Sequence, residues 1–174
     1  MPRQERRPSG LESPFGENEL IVSKTDPTGR LTYCNDIFQR VSGYAESELL
    51  GQPHSIIRHP DMPRCVFKLL WDTIGSGQEI FAYVLNMARN GDHYWVFAHV
   101  TPSFGSGGAI EGYHSNRRKP RADAVAKAES LYRELLSIER ADGNRKDSMQ
   151  AAYAALERKL RDTGMPYDAF VLSL

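Results

Sequence analysis

The sequence predicts an α+β fold: a five-stranded antiparallel sheet with short helices on one face, extended by a C-terminal αα-hairpin. Three observations predict it. Two short β-prone runs flank a proline and glycine turn early in the chain, three longer alternating runs follow a helical segment, and two apolar stripes at helical spacing close the sequence.

Residues 1–19 carry prolines, glycines and charges without apolar periodicity, and read as a tail or a loosely docked cap. From Leu20, the runs LIVSK and RLTYC are separated by Thr25-Asp26-Pro27-Thr28-Gly29, which suits a reversing turn and predicts a hairpin. Asn35 can cap a short helix bearing Ile37, Phe38 and Val41. Gly43 ends that helix, and a second short segment runs from Glu46 to Leu50 before Gly51. Pro63 suits the first turn of a longer helix, with Val66, Phe67, Leu70, Trp71 and Ile74 at helical spacing until Gly75 and Gly77. Strands are expected over 80–89 and 93–101, joined by Asn90-Gly91, a strong hairpin signal, and over 109–117 after the loop Gly105 to Gly108. On the middle strand Tyr94, Val96, Ala98 and Val100 share one face, and Trp95 and Phe97 share the other with His93 and His99. Large aromatic side chains on both faces call for cover on both.

That cover is sought in residues 119–174, a helical extension of two amphipathic helices. Val125, Ala128, Leu131, Tyr132, Leu135 and Leu136 form one stripe, and Met149, Ala152, Tyr153, Leu156 and Leu160 form another. Ala141-Asp142-Gly143-Asn144 separates the helices, and Gly164 and Pro166 end the second before the apolar patch 167–174. Such helices can fold back on the sheet, dimerise or dock on another protein.

With 174 residues, 40% of them apolar, the chain suits one domain with extensions. Lysine plus arginine and aspartate plus glutamate each number 22, so no global field favours nucleic acid. No apolar run approaches the ~20 residues needed to cross a bilayer, and the N-terminus lacks the apolar stretch of a signal peptide. A cytoplasmic protein without membrane insertion is expected. Cys34 and Cys65 are expected to stay reduced.

Several side chains carry usable chemistry. Asn86 offers a carbonyl and an NH₂ for pairing, and has equally the look of a strand-end or turn asparagine. Arg58 can fork onto phosphate, with His59 beside it just before the Pro63 helix, or sit in solvent or pair with Asp61. Asp61 can cap that helix or touch a ligand, and Asn35 is a good cap. His59 and Asp61 resemble an acid–base pair, but there is no nucleophile elbow, no HExxH and no phosphate-binding loop, so an enzyme is not expected.

The runs Asn35 to Tyr44, Gly51-Gln52-Pro53-His54, Arg58-His59-Pro60-Asp61-Met62-Pro63, Trp71, Asn86, Asn90 to Val96 and Gly112-Tyr113 closely resemble the PAS domain of bacterial Aer-type aerotaxis receptors, over residues 20–118. The resemblance implies a five-stranded PAS sensor holding FAD noncovalently, with Asn35, Arg58, His59, Asp61, Phe67 and Asn86 at positions associated with flavin binding. Trp71 belongs to the same set. Ile80 stands where the family usually has tryptophan, keeping the slot apolar but losing an aromatic contact of ~0.5–1.5 kcal/mol. Leu85 replaces a usual lysine. Alignment with photosensory LOV domains puts His54 at their adduct-forming cysteine, so covalent photochemistry is not expected. The five histidines keep a heme-binding PAS domain as an alternative, and a cofactor-free dimerisation or interaction module is a third reading. The implied output is protein contact with a chemoreceptor, histidine kinase or cyclase type partner, with a homodimer as a further option.

Overall fold

A computed structural model describes residues 6–141 and 143–174; residues 1–5 of the expected tail and Asp142 of the interhelical break lie outside the described residues. Strands β1 (Ile21–Thr25) and β2 (Leu31–Cys34) form the first hairpin. Its turn is closed by the Asp26 carboxylate, which accepts from the Thr28 amide at 2.8 Å and the Arg30 amide at 3.0 Å. Helix α1 (Asp36–Ser42) starts at Asn35, whose Oδ1 accepts from the Phe38 amide at 3.1 Å, and stops at Gly43 with φ 71°. Helix α2 (Glu46–Leu49), a 3₁₀ turn (His54–Ile57) and helix α3 (Arg64–Gly75) follow.

The remaining strands are β3 (Ile80–Met87), β4 (His93–Phe104) and β5 (Ile110–Arg118), and the antiparallel order across the sheet is β2-β1-β5-β4-β3. Met87 faces His93 across the β3–β4 hairpin. Gly91 takes φ 94° there, and a Cβ on it would lie 2.3 Å from the Arg7 carbonyl oxygen. That close approach arises because the N-terminal segment is a docked cap. Arg6 donates to the Met87 and Ala88 carbonyls at 3.2 and 3.3 Å, Glu12 bridges to His93, and Phe15 is buried.

Burial alternates along β4 as the sequence pattern requires: Tyr94, Val96, Ala98 and Val100 point into the core, while Trp95, Phe97 and His99 point to the opposite face. The chain's own extension covers that opposite face. Helix α4 (Ala122–Ala141) lays Ala124 and Ala128 against Tyr83, stacks Tyr132 on Trp95 at 5.8 Å, and donates the Tyr132 hydroxyl to the Tyr83 carbonyl. Of the three destinations open to it, the extension takes the sheet.

The extension has three helices where two were expected. After α5 (Arg145–Thr163), Gly164 terminates the helix with φ 67°, and Pro166 in an extended conformation restarts the chain as α6 (Tyr167–Leu172). Proline fixes φ near the value a first helical turn needs, and the restart aims Phe170 and Val171 at the outer sheet aromatics. No described helix is long and apolar enough to cross a membrane.

A second contact ties the extension to α3. The buried Glu139 carboxylate accepts from the Arg64 amide at 3.1 Å, the Cys65 amide at 2.8 Å and Arg64 Nε at 3.2 Å. A carboxylate from α4 therefore satisfies the free N–H groups at the start of α3. This corrects the cap expected of Asp61, whose side chain instead pairs with Arg140 of α4 at 2.6 Å.

Candidate cofactor site

Between the concave face of the sheet and the 3₁₀ turn with α3 lies a cavity of about 360 Å³. Cofactor sites run from roughly 300 to 1,000 Å³. Alternation along the strands sends Val84 and Asn86 of β3, Ala98 and Val100 of β4, and Tyr113, Ser115 and Arg117 of β5 to its floor. Helical spacing sends Phe67, Leu70, Trp71 and Ile74 of α3 to its roof, with His54, Ser55 and Arg58 beside them. Trp71 and Gly29 meet at one side of the lining. Trp71 meets Tyr113 edge-on at 5.6 Å, and Gly29, with φ 84°, leaves room for the indole that a Cβ 2.7 Å from Cη2 would remove.

Of the eight expected site residues, Arg58, Phe67, Trp71 and Asn86 line this cavity. Arg58 and Asn86 meet because their backbones form an isolated antiparallel bridge, placing the RHPDMP turn on the β3 edge. The Arg58 guanidinium lies 4.2 Å over the Phe67 ring, and burial lowers its pKa from the usual range. Asn35 lies away from the cavity. Its Oδ1 accepts from the Val22 and Phe38 amides and its Nδ2 donates to the Leu20 carbonyl, so it ties α1 to β1. Ile80 is buried in the core beside Val100 but outside the cavity lining, because that lining begins further along β3, at Val84. His59 and Asp61 shape the RHPDMP turn: His59 Nδ1 accepts from the Asp61 amide at 3.0 Å, and Met62 Sδ receives the Leu85 amide at 3.5 Å.

Arg117, His54 and Ser23 line the cavity and were not singled out as cofactor ligands by the sequence reading. Arg117 is only 2% exposed; one Nη donates to Ser23 Oγ, while Nε and the other Nη have no partner among the described residues. Burial pushes its pKa down to about 10, so it is a cation at neutral pH, with its guanidinium 4.6 Å over the Phe38 ring. Guanidinium only donates, so Ser23 Oγ accepts from it and can give its own hydrogen to His54 Nε2, 3.2 Å away. Asn86 Nδ2 and Thr25 Oγ1 are also buried without partners among the described residues. A wall carrying this many orphaned donors fits a ligand with acceptor atoms on the edge of a flat, apolar ring.

Burial, and then the Arg117 charge, hold the His54 pKa down to about 3. Unfolding restores an ordinary value of about 6.5, so the unfolded chain binds an extra proton between those limits. The stability this contributes is complete above about pH 6.5 and falls as the pH drops towards 3. His59 is lowered by burial too and acts in the same direction. His54→Gln is therefore expected to flatten the loss of stability between about pH 6.5 and pH 5, followed as the urea midpoint. An unchanged slope would show that His54 does not enter the fold neutral.

Comparison with known proteins matches residues 31–116 to the family described as PAS fold. The chain is 41% identical over 123 residues to the aerotaxis receptor of Escherichia coli (strain K12), covering 71% of this chain and 24% of that protein. It is 31% identical over 99 residues to the nitrogen fixation regulatory protein of Klebsiella pneumoniae, covering 57% and 20%. The chain thus spans about a quarter or less of these relatives' lengths. Among solved structures, the dark state of the blue-light photoreceptor Aureochrome1 LOV superposes with a TM-score of 0.55 at 24% identity, over 68% of this chain and 86% of the other. A light-oxygen-voltage domain studied with a flavin analogue gives 0.55 at 19% identity, over 66% and 84%.

Proposed function

Residues 31–116 place this chain in the PAS family, and from that premise we propose that it is a non-catalytic sensor holding FAD without a covalent bond. In this reading residues 20–118 are the sensor, and residues 119–174 carry its redox state to a signalling protein of the chemoreceptor, histidine kinase or cyclase class. The observation that carries it is the cavity whose apolar walls bear the unpartnered Asn86 Nδ2 and the buried cation Arg117.

A bound flavin supplies reversible electron uptake at a ring with carbonyl and ring-nitrogen acceptors. Phe67, Trp71, Ile74 and Val84 give that ring an apolar slot, and Asn86 offers its amide to the ring edge. Arg117 favours any negative charge the ring gains, since an unpaired cation in a poorly solvated wall acts strongly on a nearby charge. Ser23 keeps the His54 nitrogen occupied, which leaves the remaining donors to the ligand. Neither cysteine lines the cavity and both are buried and free, so the chain offers no thiol for an adduct there.

The route outward starts at Asn86. It lies three residues along β3 from Tyr83, whose carbonyl receives the Tyr132 hydroxyl of α4. It also bridges Arg58 in the turn that holds Asp61 against Arg140. A change in what Asn86 bonds to is thus applied to a strand and a turn that both hold α4. A ligand biases such an equilibrium only through contacts that differ between the two states.

Protein purified without added cofactor should be yellow with flavin absorption bands, and acid should release FAD. A Soret band would replace this reading with the heme alternative, and a colourless protein that takes up no added flavin would leave an interaction module. Asn86→Ala is expected to weaken flavin binding about tenfold, the size of one hydrogen bond, while scarcely moving the unfolding midpoint, because its Nδ2 has no partner to lose. A large stability loss with unchanged affinity would assign Asn86 to the scaffold.

A further inference from the structure

A second cavity, of about 630 Å³, opens beside the RHPDMP turn where it meets the extension. Arg6, Arg58, Arg64, Arg140 and Arg145 line it, and Glu139 is the sole carboxylate among its described lining residues. Glu139 is committed to Arg64 and the α3 amides, and Arg140 to Asp61. The Arg145 guanidinium has no partner among the described residues, and that of Arg58 is held only by the Phe67 ring. Arg6 is spent on backbone carbonyls, so two uncommitted guanidinium groups, Arg58 and Arg145, face a hollow whose one lining carboxylate is already paired, and planar forked donors suit phosphate oxygens. Ser55 and Arg58 line this chamber and the ring cavity alike, so the two hollows lie side by side with Arg58 at their shared wall.

Resting on the flavin reading, we propose that the chamber receives the diphosphate of FAD between Arg58 of the sensor and Arg145 of the extension. The first helical turn of α5 then belongs to the cofactor site, and FAD is preferred over riboflavin because only FAD reaches the extension. A diphosphate can also come from a free nucleoside diphosphate, so the probes are FAD, riboflavin and ADP. Each is titrated against the full chain stripped of cofactor, as wild type and as Arg145→Ala, an exposed position that leaves the backbone carbonyl bound by Arg64 in place.

The expected result is FAD binding at least tenfold tighter than riboflavin, reduced about tenfold by Arg145→Ala with riboflavin unaffected, as for loss of one charge-assisted bond. Equal affinity for FAD and riboflavin, or a variant that changes both alike, would overturn the chamber and leave the ring cavity standing. If no flavin binds, the flavin reading fails, and ADP decides: Arg145-dependent ADP binding supports a diphosphate receptor for free nucleotide, and absence of ADP binding overturns it.

Discussion

Arg117→Met should stabilise the flavin-free protein and weaken flavin binding by about ten- to a hundredfold. The two effects have one cause. Among the described residues Arg117 is a buried cation with no carboxylate partner and two nitrogens without hydrogen bonds. Its lowered pKa means the folded state holds the proton less well than the unfolded chain does, so the charge opposes folding across the neutral range. Replacing buried charges with apolar groups of similar volume stabilises proteins by about 1–4 kcal/mol. Loss of the Ser23 bond and of the Phe38 contact offsets part of this, leaving a gain of about 1 kcal/mol. Binding loses a charge-assisted hydrogen bond of about 1.5–3 kcal/mol. Thermal unfolding with and without flavin separates the two: the variant should melt higher than wild type when empty and gain less on adding flavin. Lower stability in both states would show that Arg117 serves the core rather than the ligand.

Glu139→Ala should cost about 3 kcal/mol and release α4 from α3. Two helix-terminal amides and the Arg64 Nε lose their acceptor together. A lost cap typically costs about 1 kcal/mol, and a hydrogen bond to a charged group about 1.5–3 kcal/mol. Arg64 is partly exposed and keeps Ser148 and the Arg145 carbonyl, which holds the total below that of a fully buried ion pair. Glu139→Gln keeps an acceptor in place and should cost less than half as much. Urea unfolding gives the energies, and amide exchange at Arg64 and Cys65 locates the effect. A loss under about 0.5 kcal/mol for Glu139→Ala would mean that water replaces the carboxylate freely.

The parts of this fold legible in the sequence are those set by local periodicity. The Asn90-Gly91 turn, the α3 stripe and the alternation of Tyr94 to Val100 depend on a few neighbouring residues, and each is realised with only small shifts of its ends. The site was half legible. Arg58, Phe67, Trp71 and Asn86 come together in the cavity, but its central cation did not stand out, because arginine at a strand end normally marks solvent. A signal was available, since Tyr113, Ser115 and Arg117 alternate onto one face of β5. Glu139 likewise continues the Ala128, Leu131, Leu135 stripe of α4, so a charged residue at a core position advertised a buried partner. What it caps lies 75 positions away, and no local pattern carries that information. The destination of the extension was illegible for the same reason, since an amphipathic stripe states that a face is covered and not by what.

Amide hydrogen exchange on flavin-loaded protein, oxidised and reduced, shows whether the electron count in the cavity sets how firmly the extension is held. Protection should differ in α4, around Tyr132 and Glu139, and at the Arg64 and Cys65 amides, with β2, which does not line the cavity, unchanged. Identical exchange of the extension in the two forms would contradict that coupling.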